Sequence, residues 1–553
     1  MQRRAFHRPT DGRREDTAPR KEWQMPHNAF SRRYFFYGAL LAGAVPAGGF
    51  GSTPSLKKLG YKSPNEKLNL AAIGAGGQPA ADLHLAQAGV ENVVALADVD
   101  WVRGKESFER FPTAKRYKDF RQMLDRQGSE IDAVVIGTPD HMHATCALAC
   151  MQLGKHVYVE KPLTRTAWEA RLLAQAAERY NVATQMGNQG YSHDATRVAC
   201  EIVWAGEIGD VHEVHAWTGR PSWPQEMARL AKPTPVPESL DWDLWLGGAA
   251  ERPFTAGDDE YRSFVVERNQ RFGRTGASAQ PEWGFYLPFN WRGFYDFGSS
   301  LIGDWGVHIL GPANWALQLA PEYLLSVECI KKDALPPFTF PDVMTIKYEF
   351  GSRPGGMPPV TVYWYQHTGR DAWLPPGMSA DEARKIPGEG PQVGPQRGQG
   401  GFTPGSGGVV GPKPSPTAPP RPPEDSRYNL IMSGSKGYLG TSGRGEGVGL
   451  LPGKRWSEYK LPEQYLQRSP GASTGSNHTA HCHDWVRACK GGAPACSNFS
   501  IAGKFTEWLV LGSAAVHVDG RLIWDQAKGE FSNNPEANRW VKPDFRAGWK
   551  IGL

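Results

Sequence analysis

From Lys67 onward, short runs of aliphatic and β-branched residues alternate with helical patterns, and this rhythm limits the fold more than any other feature of the chain. Leu68–Ile73, Val93–Ala97, Ala133–Ile136, His156–Val159 and Val182–Met186 read as buried strands. Ala80–Ala88, Phe120–Arg126, Ala144–Leu153 and Ala167–Tyr180 read as helices between them. Strands separated by helices pair in parallel and carry the helices on both faces. The class is therefore α/β, with a doubly wound parallel sheet over residues 65–188.

After Gly190 the rhythm changes. Val211–Trp217, Tyr323–Ile330, Val343–Phe350 and Val360–Tyr365 alternate apolar and polar positions, as two-faced strands do. Residues 189–553 are expected to form an α+β domain on a mostly antiparallel open sheet. Within it, residues 387–424 are dominated by Gly, Pro, Gln and Ser, an excursion rather than a core element.

Residues 1–64 read as a basic leader with an export signal. Ser31-Arg32-Arg33-Tyr34-Phe35-Phe36 is followed by a Gly/Ala-rich run to about Gly51, too short and too glycine-rich for a membrane span. The twin arginines before a mildly apolar stretch resemble a twin-arginine export signal, which implies a periplasmic location, or a cytoplasmic one if the signal is not used. The net charge of +5 resides in this leader, where residues 1–33 carry nine Lys/Arg against four Asp/Glu. The rest of the chain is formally neutral, which speaks against a nucleic-acid partner. Seven scattered cysteines form no disulfide framework, and Cys146 and Cys150, four apart on an expected helix, belong in the core.

Four motifs stand at expected strand ends. Gly74-Ala75-Gly76-Gly77 follows the first strand, where pyrophosphate needs backbone N–H groups, a helix N-terminus and no intervening side chain. The third position of the G-x-G-x-x-G pattern falls on Pro79, which leaves the tight helix–sheet packing of that pattern open. Asp98 closes the second strand, 22 residues after Gly76, and suits the ribose hydroxyls of a dinucleotide. With Val99, Asp100 and Trp101 following and no arginine among them, NAD is favoured over NADP. Thr138-Pro139-Asp140-His141-Met142-His143 ends the third of these strands and Glu160-Lys161-Pro162 the next. Both lie where open parallel sheets bind ligands.

Together with Gly303-Asp304-Trp305-Gly306-Val307-His308, these motifs resemble the Gfo/Idh/MocA oxidoreductase family over roughly residues 67–553. The resemblance implies a Rossmann NAD-binding domain and a second domain that binds substrate and forms oligomer contacts. It implies cofactor contacts from Gly74, Gly76, Gly77, Asp98, Thr138, Pro139, His143, Glu160 and Lys161. Lys161, Asp304 and His308 become the candidate catalytic residues, and Gln189, Trp217, Arg220, Trp291 and Arg292 the candidate substrate contacts. An acid often found three residues after the motif histidine is replaced here by Gly311.

The chemistry of these residue types agrees. Oxidising an alcohol needs a base for the hydroxyl proton, and an imidazole has the right pKa range. Asp304 and His308, four apart, would share a helical face, so that the acid orients the base. Lys161 would supply positive charge where alkoxide character develops. His478, His481 and His483 are not spaced as zinc ligands on one helix face, and no metal is expected. The expected activity is hydride transfer at a sugar or polyol carbon. Redox-neutral, NAD-dependent glycoside cleavage and a non-catalytic sugar-binding role on the same fold stand as alternatives.

Overall fold

The computed structural model describes residues 66–553 except 220, 222, 272–283, 367–372, 385–389, 392, 394–427 and 469–476. The twin-arginine segment, Arg220 and nearly all of the 387–424 excursion lie outside the described residues.

The first sheet contains β1 (Asn69–Ile73), β2 (Asn92–Ala97), β3 (Lys115–Tyr117), β4 (Ala133–Ile136), β5 (His156–Val159) and β6 (Thr184–Met186). Their order is β3-β2-β1-β4-β5-β6 and every pairing is parallel. This is the strand order of a Rossmann fold, with the switch point between β1 and β4. Helices α1 (Gln78–Gln87), α2 (Lys105–Arg110), α3 (Phe120–Gln127), α4 (Asp140–Gln152) and α5 (Ala167–Tyr180) connect the strands. β4 and β5 are buried along their whole length, as parallel strands covered on both faces must be. α5 starts at a capping box in which Thr166 and Glu169 satisfy each other's backbone N–H groups.

After α6 (Asp194–Trp204), the strands β7 (Val211–Thr218), β8 (Leu324–Lys332), β9 (Met344–Phe350), β10 (Val360–Gln366), β11 (Leu430–Gly434), β12 (Gly437–Ser442) and β13 (Gly447–Leu451) build a second sheet, completed by β14 (Leu522–Asp525) and β15 (Glu530–Phe531). Among the described residues it runs β13-β12-β11-β7-β10-β9-β8-β14-β15. All its pairings are antiparallel except β7 with β10, so the expected mostly antiparallel sheet is present.

Between β7 and β8 lie α7 (Trp242–Leu246), α8 (Asp259–Arg271), α9 (Ser300–Asp304), α10 (Gly306–Ile309) and α11 (Gly311–Ala316). After β13 come α12 (Gly453–Ser457), α13 (Asn477–Cys489) and α14 (Phe499–Ala515). α14 is buried on nearly every side, because it is wedged between the two sheets. It packs along α5 on one side and against β8 and β9 on the other, where Tyr348 Oη donates to the Leu509 carbonyl at 2.7 Å.

Chain order and packing thus diverge. α13 follows the second sheet in sequence but packs on α1, and its Cys482, Trp485 and Cys489 complete the apolar cluster under Leu70, Ala72 and Val135. The first domain therefore includes a contribution from far beyond residue 188. All seven cysteines are free thiols, and Cys146 and Cys150 are buried as expected. Among the described residues, no helix is long and apolar enough to cross a membrane.

Candidate active site

One cleft opens at the carboxyl ends of β1, β2, β4 and β5, where each strand delivers one motif. Its lining includes Gly74, Gly76, Asp98, Thr138, Pro139, Asp140, His143, Glu160 and Lys161 from the first domain and Trp291 and Arg292 from the second.

The glycine loop has no room for side chains. Gly74 adopts φ +77°, and a Cβ there would lie 2.9 Å from the Thr138 nitrogen. A Cβ on Gly137 would overlap Cγ of Pro79. The helix–sheet contact that Pro79 left open is thus made by a proline ring seated over a glycine at the end of β4. The proline is harmless to α1, since the first helical turn leaves its N–H groups unpaired anyway.

Asp98 is buried at the cleft. Its Oδ2 accepts from the Gly76 N–H at 3.0 Å and its Oδ1 from the Asp100 N–H at 2.9 Å. Loss of hydration raises its carboxyl to about 6 despite these bonds. The acid therefore braces the glycine loop from the end of β2. Arg103, which belongs to none of the four motifs, also lines the cleft. Its guanidinium reaches Gly77, and it interacts with both Asp98 and Arg292. The residues just after Asp98 hold no arginine, but the turn into α2 brings this one back.

Lys161 Nζ donates to Asp304 Oδ1 at 2.8 Å and to the Asp304 carbonyl at 3.2 Å, and Arg292 Nε donates to the same Oδ1 at 3.1 Å. Although burial opposes it, the two cations hold the Asp304 carboxyl below its usual range. The Arg292 guanidinium also lies over the Phe289 and Trp291 rings, 4.2 and 4.3 Å from their centroids. The expected Asp304–His308 pair does not form. The helix breaks at Trp305, between α9 and α10, and Asp304 turns to Lys161 and Arg292 instead.

His308 is 1% exposed and, among the described residues, neither ring nitrogen has a hydrogen-bond partner. Burial, with Arg444 and Lys161 nearby, pushes its pKa well below the usual 6.5, so the ring is neutral. Such an orphaned polar group demands an explanation, and a bound hydroxyl or water would provide one.

Asp140, inside the motif but not among the expected site residues, is a buried cleft carboxyl whose Oδ2 accepts from Ser299 Oγ at 2.8 Å. Burial raises it to about 7, against the opposing pull of Arg292. A carboxyl at a strand end, opening a helix, was the signal available in the sequence. His143 joins two strand-end loops, its nitrogens each 2.8 Å from the carbonyls of Pro162 and Thr138.

Two expected substrate contacts lie elsewhere. Gln189 donates to Glu160 Oε1 at 3.3 Å and supports that carboxyl from behind. Trp217 packs with Tyr428, Ile431 and Leu451 as a core residue of the second sheet. A bulky ring on an alternating strand is more often packed than presented, and here packing prevails. The three clustered histidines diverge: His478 meets Asp82, His481 the Met186 carbonyl and His483 the Leu85 carbonyl.

A Rossmann-type domain joined to a largely antiparallel sheet, with a cleft lined by residues of both, is the class that fold and site define. Residues 68–188 match the Gfo/Idh/MocA model, described as an oxidoreductase family with an NAD-binding Rossmann fold. Levoglucosan dehydrogenase of Pseudarthrobacter phenanthrenivorans is 30% identical over 122 residues, 22% of this chain and 30% of that protein. A protein of Solibacter usitatus named glycosyl hydrolase family 109 is 31% identical over 199 residues, 33% of this chain and 44% of that protein. The chain thus spans less than half the length of either relative. A solved levoglucosan dehydrogenase complex with NADH superposes with a TM-score of 0.47 at 15% identity, covering 83% of this chain and all of that one.

Proposed function

We propose that the chain is an NAD-dependent oxidoreductase that moves a hydride to or from a carbon of a sugar or polyol. The observation that carries this reading is the meeting in one cleft of the glycine loop with Lys161 and Arg292, which share the carboxylate of Asp304. The cradle fits a dinucleotide: the loop excludes side chains, and Thr138 Oγ1 is buried without a partner among the described residues. A bound nicotinamide would supply the hydride acceptor or donor.

The chain's own groups do the rest. Lys161, fixed by Asp304, presents positive charge to an oxygen that develops alkoxide character. Asp140, poised about 7, can take or return a proton near neutrality. Neutral His308, with one N–H and one lone pair unused among the described residues, can hold a hydroxyl or a water. Arg292, stacked over the Trp291 ring, offers a cation to a polyhydroxylated substrate. The longer match to a protein named as a glycosyl hydrolase favours redox-neutral cleavage as the second reading. Product analysis separates the two: a keto sugar or lactone for net oxidation, a cleaved glycoside for the other.

The twin arginines lead us to propose export of the folded protein, which requires the nucleotide to be retained and reoxidised in place, because no soluble pool exists outside. The open second sheet is the proposed self-association surface, with Leu325 and Ile330 exposed on β8. The test is exhaustive desalting followed by denaturation. Nucleotide in the supernatant, with turnover that needs no added NAD, is expected. A chain that carries no nucleotide after denaturation and binds neither NAD nor NADP in calorimetry overturns the whole reading.

A further inference from the structure

Asp82 lies on α1, the helix that leaves the glycine loop, and is completely buried. His478 and Cys482 are four apart on α13 and so face the same way. One carboxylate oxygen, one imidazole nitrogen and one thiol sulfur from these residues lie within 4.8 Å of one another. Spacing among the histidines alone concealed this set, because only one of the three histidines takes part and a cysteine one turn on completes the pair.

We propose that Asp82, His478 and Cys482 bind a divalent transition-metal ion of the zinc class. The donor set of O, N and S matches the borderline softness of zinc. A tetrahedral ion with bonds of about 2.0–2.3 Å holds its ligands about 3.3–3.6 Å apart, within a short side-chain adjustment of the present spacing.

A second observation points to a cation independently. Asp82 Oδ2 is buried and receives no hydrogen-bond donor among the described residues. It faces the Glu160 carboxyl. His478 Nε2 and Asp82 Oδ1, 2.5 Å apart, already share a hydrogen that the ion would displace. Cys482 is fully buried, whereas the His478 side chain is 17% exposed and offers the entry route. Such an ion would lock the helix carrying the phosphate loop to a segment nearly four hundred residues away in sequence. The site does not depend on the reaction proposed above.

The experiment strips the full chain with chelator and titrates it with Co²⁺, then Zn²⁺. We expect one equivalent of Co²⁺ with a sulfur-to-cobalt charge-transfer band, displaced by Zn²⁺, and a rise in thermal midpoint. Zn²⁺ binding should release the proton of the Cys482 thiol. Cys482→Ser should abolish the band, and His478→Ala should weaken Zn²⁺ at least about 100-fold. Absence of stoichiometric uptake overturns the proposal, as does uptake without the band, or a band that survives Cys482→Ser. If that variant does not fold, the presence or absence of the band in the unmodified chain decides. The metal titration is read without turnover, so its failure is distinct from failure of the dehydrogenase reading.

Discussion

Asp140→Asn probes the cleft most directly. The folded chain raises this carboxyl from 3.8 to about 7, chiefly by burial, while Arg292 and the Ser299 hydroxyl pull it down. At 1.36 kcal/mol per unit, a displacement of about three units is about 4 kcal/mol. Below about pH 4 the carboxyl is protonated in both states and costs nothing. Between about 4 and 7 the folded chain holds a proton that the unfolded chain has lost, so this group's contribution makes stability fall as pH rises. Above about 7 the penalty is complete. Asparagine keeps the size of the side chain and can still accept from Ser299, but it cannot ionise. Urea denaturation should therefore show the variant close to the unmodified protein at pH 4 and more stable by up to about 4 kcal/mol at pH 8. In kcat/KM against pH, the limb near 7 should vanish and the rate should drop about 10²–10⁴-fold if Asp140 carries the proton. Parallel stability curves would show that Asp140 ionises normally when folded, and an unchanged limb would remove it from proton transfer.

Gly137→Ala should cost about 1–3 kcal/mol, because its methyl group overlaps the Pro79 ring, and Pro79→Ala in the same chain should recover most of that. Additive losses in thermal denaturation would refute this contact. Asp304→Ala leaves Lys161 and Arg292 without their shared carboxylate and should lower kcat far more than it weakens NADH binding followed by fluorescence. Equal effects on both would show that the pair is only structural. Arg103→Ala should weaken dinucleotide binding about 10–100-fold in calorimetry, with NADP affected at least as much as NAD. Unchanged affinity would place the guanidinium outside the phosphate site.

The parallel sheet was legible because buried strands write themselves as unbroken aliphatic runs. β4, β5 and α5 stand with the boundaries their residues suggest. β12 and β13 were not legible. Gly437, Gly440, Gly447 and Gly449 interrupt any alternation, and the space over Gly440 and Gly449 is filled by Tyr428, which stands outside both strands. In the site, motif residues at strand ends were found because topology alone carries them to the cleft. Partnership was harder to read. Asp304 and His308 have helical spacing, yet the break at Trp305 and the pull of two cations send the acid elsewhere. Arg103 and Asp82 matter through contacts across the fold, which no local pattern encodes.

The return of α13 and α14 to the first domain bears on how the protein is made. About 290 residues separate the end of β6 from the start of α13. At about 5–20 residues per second, the ribosome needs roughly 15–60 s to deliver the missing pieces after the last Rossmann strand emerges. During that interval the face that Cys482, Trp485 and Cys489 later cover remains open, and α5 lacks its main partner. The nucleotide fold therefore cannot mature vector-wise from the N-terminus. Truncations ending before Asn477 should be taken up by chaperones or degraded rather than persist as a free-standing binding module.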